Sequence, residues 1–221
     1  MAHADTREIV LDAAELLFAD QGYAATSLRG ITAAAGVNLA AVNYHFGSKE
    51  ELAKAVLARR IAPINDERLR RLDALAPSRR TVAAIVRAFV EPPLRASGAA
   101  CSGDSPPSRM CRVFGRISVE QPPFLRDFLA AQFRGVARRF AAALATAAPG
   151  MTMAATWWRL HFLIGAMAHT MLHSGLLARL SDGQCDPDDV DGMIEHLVAF
   201  AVGGLRASAR RRPHRRSGAA S

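Results

Sequence analysis

The chain is poor in what a disulfide-built, β-rich or catalytic protein needs. Its 221 residues include three cysteines, Cys101, Cys111 and Cys185, an odd and widely spaced set. They predict neither a disulfide framework nor a C-x-x-C metal site, which suits a reducing cytosol. Strand signals are scarce. No secretory pattern of basic then apolar residues opens the chain, so a cytoplasmic protein is expected. The most apolar stretch, Met153 to Leu172, contains Arg159, His161 and His169, which a membrane span would have to bury. A core helix is expected there instead. There is no phosphate-binding glycine loop, no nucleophile elbow and no H-E-x-x-H, so no enzyme and no cofactor are expected.

Charge of one sign is missing where it would first be sought. The formal net charge is +8, but Arg210, Arg211, Arg212, Arg215 and Arg216 supply five positive charges in the tail. Residues 1–60 carry six Lys or Arg against seven Asp or Glu. Bulk basicity therefore gives no support to nucleic-acid binding, and any such argument rests on where the charges lie. What the chain does have is apolar mass: 50% of it is hydrophobic, rich in alanine and leucine. That predicts an all-helical protein with a real core.

The segment Thr26 to Glu51 holds the densest local signals. Thr26 or Ser27 can cap a short helix running to about Ala35, and Gly36 can close it with positive φ. Asn38 is placed to cap a second short helix, about Leu39 to His45. Ser48 and Glu51 form a capping box opening a third, with Ser48 reaching forward and Glu51 back. Two short helices about a glycine turn, spanning about 27–46, have the layout of a helix-turn-helix. Ala40 and Ala41 let the second helix approach a surface closely. Asn43 has an amide that can make a bidentate contact with adenine in a major groove, the Tyr44 hydroxyl and a helix amide can hold phosphates, and His45 adds an imidazole. Arg29 and Lys49 place cations around this helix. Lys49 sits in a first helical turn, where a cation opposes the dipole, which argues for a phosphate contact. Thr26, Ser27, Arg29, Asn38, Leu39, Ala40, Asn43, Tyr44, His45 and Lys49 are the candidate DNA-binding residues.

From about Arg7 to Leu52 the chain resembles the DNA-binding domain of the TetR family of bacterial transcriptional regulators. The resemblance rests on Ile9, Ala13, Ala14, Leu17, Phe18, Gly22, Tyr23, Thr26, Ile31, Ala35, Gly36, Val37, Tyr44, His45, Phe46, Lys49, Glu50 and Leu52. Asn43 departs from it, since the family usually has an apolar residue there. The run NLAAVNYHFGSKEEL is similar to the PsrA-like branch, some of whose members respond to fatty acids or their CoA esters. The resemblance implies an all-α homodimer: an N-terminal three-helix helix-turn-helix domain on a C-terminal helical bundle for ligand binding and dimerisation. It also implies a repressor of a palindromic operator, paired through its last two helices and released by a small apolar effector such as a fatty acid or acyl-CoA.

The rest of the chain reads as helices. The first runs from about Thr6 to Asp20, with Ile9, Val10, Ala13, Leu16 and Leu17 as its apolar face. Phe18, Ile31, Val37 and Phe46 are expected to fill the small core behind the turn. The helix beginning at Lys49 meets Pro63, which predicts a kink or break near Ala62. This divides a DNA-binding domain, 1–62, from an effector and dimerisation domain, 63–207. A helix from Arg79 to Val90 is expected to stop at Pro92-Pro93, with a Ser/Gly/Pro-rich loop from Leu94 to Ser108. Helices follow over Met110 to Glu120, Phe124 to Leu144, Met153 to Leu177 and Pro187 to Ala207. The last is expected to have Asp186 as cap, Pro187 in its first turn, and Gly203-Gly204 for close approach. Residues 208–221 form a basic tail expected to be disordered, steering the protein to nucleic acid or simply solubilising it.

Phe89, Met110, Phe114, Phe128, Trp158, His161, Phe162 and Met167 are the candidate effector-pocket residues, large side chains at the middle of predicted helices. Arg112 or Arg159 is the candidate partner for an effector's carboxylate or phosphates. His161, His169 and His173 share a helix face at a spacing that can hold a metal, but no nearby Cys or Glu completes the set, so no metal site is assigned. A metal-responsive regulator on the same scaffold and a small-molecule binding protein without DNA function stay open as alternatives.

Overall fold

A computed structural model of the chain describes residues 6–97 and 109–207. The expected loose end at 1–5, most of the expected 94–108 loop and the basic tail lie outside the described residues. The described chain is helical: α1 (Thr6–Gln21), α2 (Leu28–Ala35), α3 (Leu39–Phe46), α4 (Lys49–Ala74), α5 (Val82–Ser97), α6 (Arg109–Glu120), α7 (Leu125–Ala147), α8 (Met153–Leu180) and α9 (Val190–Arg206), with a 3-10 turn at Pro77–Arg79.

The short helices end where their side chains can satisfy the orphan amides. Ser27 accepts from the Gly30 amide at 3.0 Å and Asn38 from the Ala41 amide at 2.8 Å. Gly36 closes α2 at φ 65°, a left-handed conformation open to glycine. Ser48 accepts from the Glu51 amide at 3.1 Å. The reciprocal half of the expected capping box is replaced: the Ser48 amide donates to the Phe46 carbonyl, and the Glu51 carboxylate takes Lys54.

Two apolar cores are built on this frame. Val10, Leu11, Ala14, Phe18, Ile31, Val42, Phe46, Leu52, Val56 and Leu57 fill the first, joined by Val113 and Ile117 of α6 and by Phe124 and Leu125. Phe18 is in the core as expected, but the α1 face is rotated from the expected one: Leu11 is buried while Leu16 is 39% exposed. The second core gathers Leu72, α5, Val136, Phe140 and Leu144 of α7, and the inner faces of α8 and α9. α6 thus packs with the helix-turn-helix, an allegiance that its sequence does not reveal.

Three prolines lie inside helices. α4 runs unbroken through Pro63. Proline forfeits one helix hydrogen bond there, but Ile61, Asn65 and Arg68 anchor the helix just before and after it. α5 passes through Pro92 and Pro93 and ends at Ser97. Pro93 leaves the Phe89 carbonyl without its helical donor, and the Arg68 Nε donates to it at 2.8 Å. At the other end of the chain, α9 is capped by Asp189, which accepts from the Gly192 amide at 2.8 Å, rather than by Asp186.

α1 and α4 are clamped by charge. Glu15, 1% exposed, accepts from Arg59, and from Arg60 Nη2 at 2.6 Å. Arg59 also reaches Asp12 at 2.8 Å and Glu8 at 3.2 Å. A buried carboxylate is tolerated only with such partners. Glu15→Ala is expected to destabilise the fold by about 3 kcal/mol, the lower end for breaking a buried pair, because Arg60 is partly solvated. Urea unfolding followed by circular dichroism measures it.

Candidate DNA interface and ligand cavity

The recognition surface is set by which face of α3 the first core takes. Val42 and Phe46 are buried. Consequently Leu39, Ala40, Asn43, Tyr44 and His45 point outward. Tyr44 is 86% exposed, a large ring in water with only the edge of His45 beside it at 5.1 Å. Ser27 and Arg29 are exposed at the start of α2, and Asn38 at the start of α3. The side-chain oxygens of Ser27 and Asn38 are already held by their caps.

Two of the sequence candidates are placed otherwise. Thr26 is buried and donates its hydroxyl to the Gly22 carbonyl at 2.7 Å, so its side chain bolts the α1–α2 loop instead of facing outward. Lys49 is held against the domain: its ammonium sits 4.4 Å from the centre of the Tyr23 ring and donates to the Ala24 carbonyl at 3.3 Å. Burial lowers its pKa, opposed by the Glu120 carboxylate. A phosphate would have to draw it off these partners.

Glu120 is the residue that sequence reasoning missed. It ends α6, yet it accepts from the Ala24 amide at 2.7 Å across 96 residues of sequence. Gly22 suits this approach: its φ of +86° favours glycine, and a Cβ there would lie 2.0 Å from Glu120 Oε1 and displace the carboxylate. A lone glutamate before Gln-Pro-Pro gives no local sign of this contact, although Gly22 marks the loop that receives it.

An apolar cavity of about 310 Å³ lies between the two cores. α4 contributes Arg60, Ile61, Ile64 and Arg68, α5 Phe89 and Pro93, and α6 Cys111, Phe114 and Ser118. Leu129 and Phe133 of α7 and Ile164, Met167, Met171 and Leu172 of α8 close it. Cys111 is disulfide-bonded, contrary to the expectation from its spacing. A wider hollow of about 610 Å³ near Gln121, Pro122 and Arg126 is lined by polar as well as apolar groups and suits an apolar ligand less well.

Of the expected pocket residues, Phe89, Phe114 and Met167 line this cavity. Phe128 packs on the first core instead. The side chain of Met110 lies outside those described. Trp158 and Phe162 are 62% and 61% exposed and His161 is exposed with them, because they occupy the face of α8 turned away from the core. The candidate anion partners also fall elsewhere. Arg159 donates to the Leu205 carbonyl at 2.7 Å at the end of α9, and Arg112 lies 3.5 Å from Asp20. His169 and His173 lie with ring centres 4.8 Å apart, tilted at 43°, on the exposed side of α8. Among the described residues, no three His, Cys, Asp or Glu converge on a point where a metal could sit, and no helix is long and apolar enough to cross a membrane.

The comparisons with known proteins agree with this architecture. Residues 10–56 match the family described as bacterial regulatory proteins, tetR family, and residues 87–204 match the tetracyclin repressor-like C-terminal domain. The HTH-type transcriptional regulator BetI of Rhizobium meliloti is 33% identical over 81 residues, 37% of this chain and 40% of BetI. An HTH-type transcriptional repressor of Mycobacterium tuberculosis is 52% identical over 48 residues, 22% of this chain and 26% of that protein. The chain thus spans two fifths or less of the length of these curated relatives. Among solved structures, the fatty acid degradation regulator FadR from Bacillus halodurans superposes with a TM-score of 0.69 at 15% identity, covering 94% of this chain and all of that one. A regulator from Saccharomonospora viridis in complex with choline gives 0.59 at 20% identity, covering 90% of this chain and 96% of that one. With its C-terminal match covering more than half the sequence and its N-terminal match spanning the helix-turn-helix with its outward-facing α3, the chain belongs to the TetR family of bacterial regulatory proteins.

Proposed function

We propose that the protein is a repressor that binds a palindromic operator as a homodimer and lets go of it when a small apolar effector fills the cavity. α3 enters the major groove. Asn43 reads a base edge, and Tyr44, Arg29 and the amides at the start of α2 and α3 hold phosphates. The dimer forms across α8 and α9. Trp158, Phe162, Leu176 and Phe200 are more than half exposed, and an apolar surface of this kind marks an interface. Gly203 and Gly204 meet nothing within 4 Å inside the protomer, which leaves room for a second helix.

One observation carries the effector half of this reading: α6 lines the cavity with Phe114 and Ser118 and ends in the Glu120 that grips the Ala24 amide. A ligand that shifts α6 therefore acts on the loop before α2. α4 is a second rod, running without interruption from the cavity to Lys49. The cavity volume lies near the lower end for ligand sites. It favours a fatty-acid-sized molecule over a CoA ester, whose nucleotide would have to lie outside. Releasing DNA a hundredfold takes about 2.7 kcal/mol of differential affinity between the two states.

The test is to select bound fragments from genomic DNA, then titrate straight-chain acids and alcohols into the labelled operator complex by fluorescence anisotropy. DNA affinity that stays constant at saturating ligand would remove the effector claim. Asn43→Ala should weaken operator binding by about 1–3 kcal/mol and leave random DNA nearly unaffected. An equal loss on both would make Asn43 a positioning contact. Glu120→Ala should keep operator binding but lower the ligand's effect on it at least fivefold in the same assay. Trp158→Asp with Phe162→Asp should yield monomers by analytical ultracentrifugation, with helical content unchanged.

A further inference from the structure

Arg68 is 3% exposed and lines the cavity. Its guanidinium lies 4.2 Å from the Phe89 ring centre. It donates to the Phe89 carbonyl at 2.8 Å, to Asn65 Oδ1 at 3.2 Å and to the Met167 sulfur at 3.6 Å. A guanidinium carries five N–H donors, so these partners leave it undersupplied, and the sulfur is a weak acceptor. No carboxylate pairs with it among the described residues. Nearby acids on α4 and α5 are exposed or engaged elsewhere: Asp66 is exposed, Glu67 holds Arg70 and Arg71 at 2.6 and 2.7 Å, and Glu91 holds Arg71 and Arg95. Burial alone pushes the Arg68 pKa down to about 10, which leaves it charged at neutral pH.

A buried cation without a counter-charge is costly. The Phe89 carbonyl freed by Pro93 needs a donor, but any neutral amide would serve, so that bond does not explain the charge. The other cation at the cavity wall, Arg60, is answered by Glu15. Among the described residues, no acid lines the cavity. Its composition is therefore apolar walls, one compensated arginine and one uncompensated arginine.

Resting on the effector reading above, we infer that the effector is an apolar anion, a monocarboxylate of an aliphatic or aryl-alkyl acid, whose carboxylate pairs with Arg68 while its tail lies along Phe114, Phe133, Ile164 and Leu172. A guanidinium fork matches a carboxylate in shape as well as charge. Cationic and zwitterionic ligands with a quaternary ammonium group are disfavoured by the same field.

Isothermal titration of the full-length protein at pH 7 with octanoate, 1-octanol and methyl octanoate tests this. Octanoate should bind at least tenfold more tightly than the alcohol or ester. Arg68→Met should abolish that preference by weakening octanoate while the alcohol changes less than threefold. Burying methionine in place of an unpaired charge is compatible with folding. Should the variant nevertheless fail to fold, the acid-to-alcohol ratio on the wild type decides by itself. Equal binding of acid and alcohol by the wild type would make Arg68 purely structural and overturn the inference, with the cavity reading intact. Binding of none of the three probes would overturn both.

Discussion

Everything in this fold is arranged about the uninterrupted run of α4. Its first half, through Leu52, Val56 and Leu57, closes the core behind α3. Its second half carries Arg68 into the cavity and Leu72 into the bundle. A helix at 1.5 Å rise per residue is a stiff rod over this length, so the two cores share one strut. Pro63 costs that strut a hydrogen bond without breaking it.

The same helix shows how differently the protein treats buried charge. Arg59 and Arg60 surround Glu15, and the cluster is closed among α1 and α4. Arg68, two turns further on, receives only a carbonyl, an amide oxygen and a sulfur. A buried pair satisfied by its own chain is architecture, whereas a buried cation lacking an anion is stability given up, here at the wall of a cavity. The proline in α5 belongs to this arrangement, because it frees the carbonyl that fixes where the guanidinium sits.

α6 gives the molecule its second connection. Val113 and Ile117 are in the core of the helix-turn-helix, Phe114 and Ser118 face the cavity, and Glu120 holds the Ala24 amide. On the receiving side the contact is a backbone amide, in a loop that turns at Gly22 with φ +86°. Cavity and recognition helix are therefore joined by two routes, one a continuous helix and the other a carboxylate at a helix end.

Local chemistry made the reading head legible. Ser27, Gly36, Asn38 and Ser48 cap, turn and start their helices by interactions spanning three or four residues, and the 3.6-residue period then assigns Val42 and Phe46 inward and Tyr44 outward. The all-α class and the sequence of helices follow from the same short-range rules. What long-range packing decided was which apolar residues meet which partner. A helix as greasy as α8 offers apolar groups on every side, so the sequence could not tell Met167, at the cavity, from Trp158 and Phe162, on the open face. Nor could it show that Thr26 would turn inward, that Lys49 would rest on Tyr23, or that Arg68 rather than Arg112 or Arg159 would face the cavity. A charge's role depends on what stands across from it, and that counterpart, whether 21 residues away at Phe89 or 96 away at Ala24, exists only once the chain has folded.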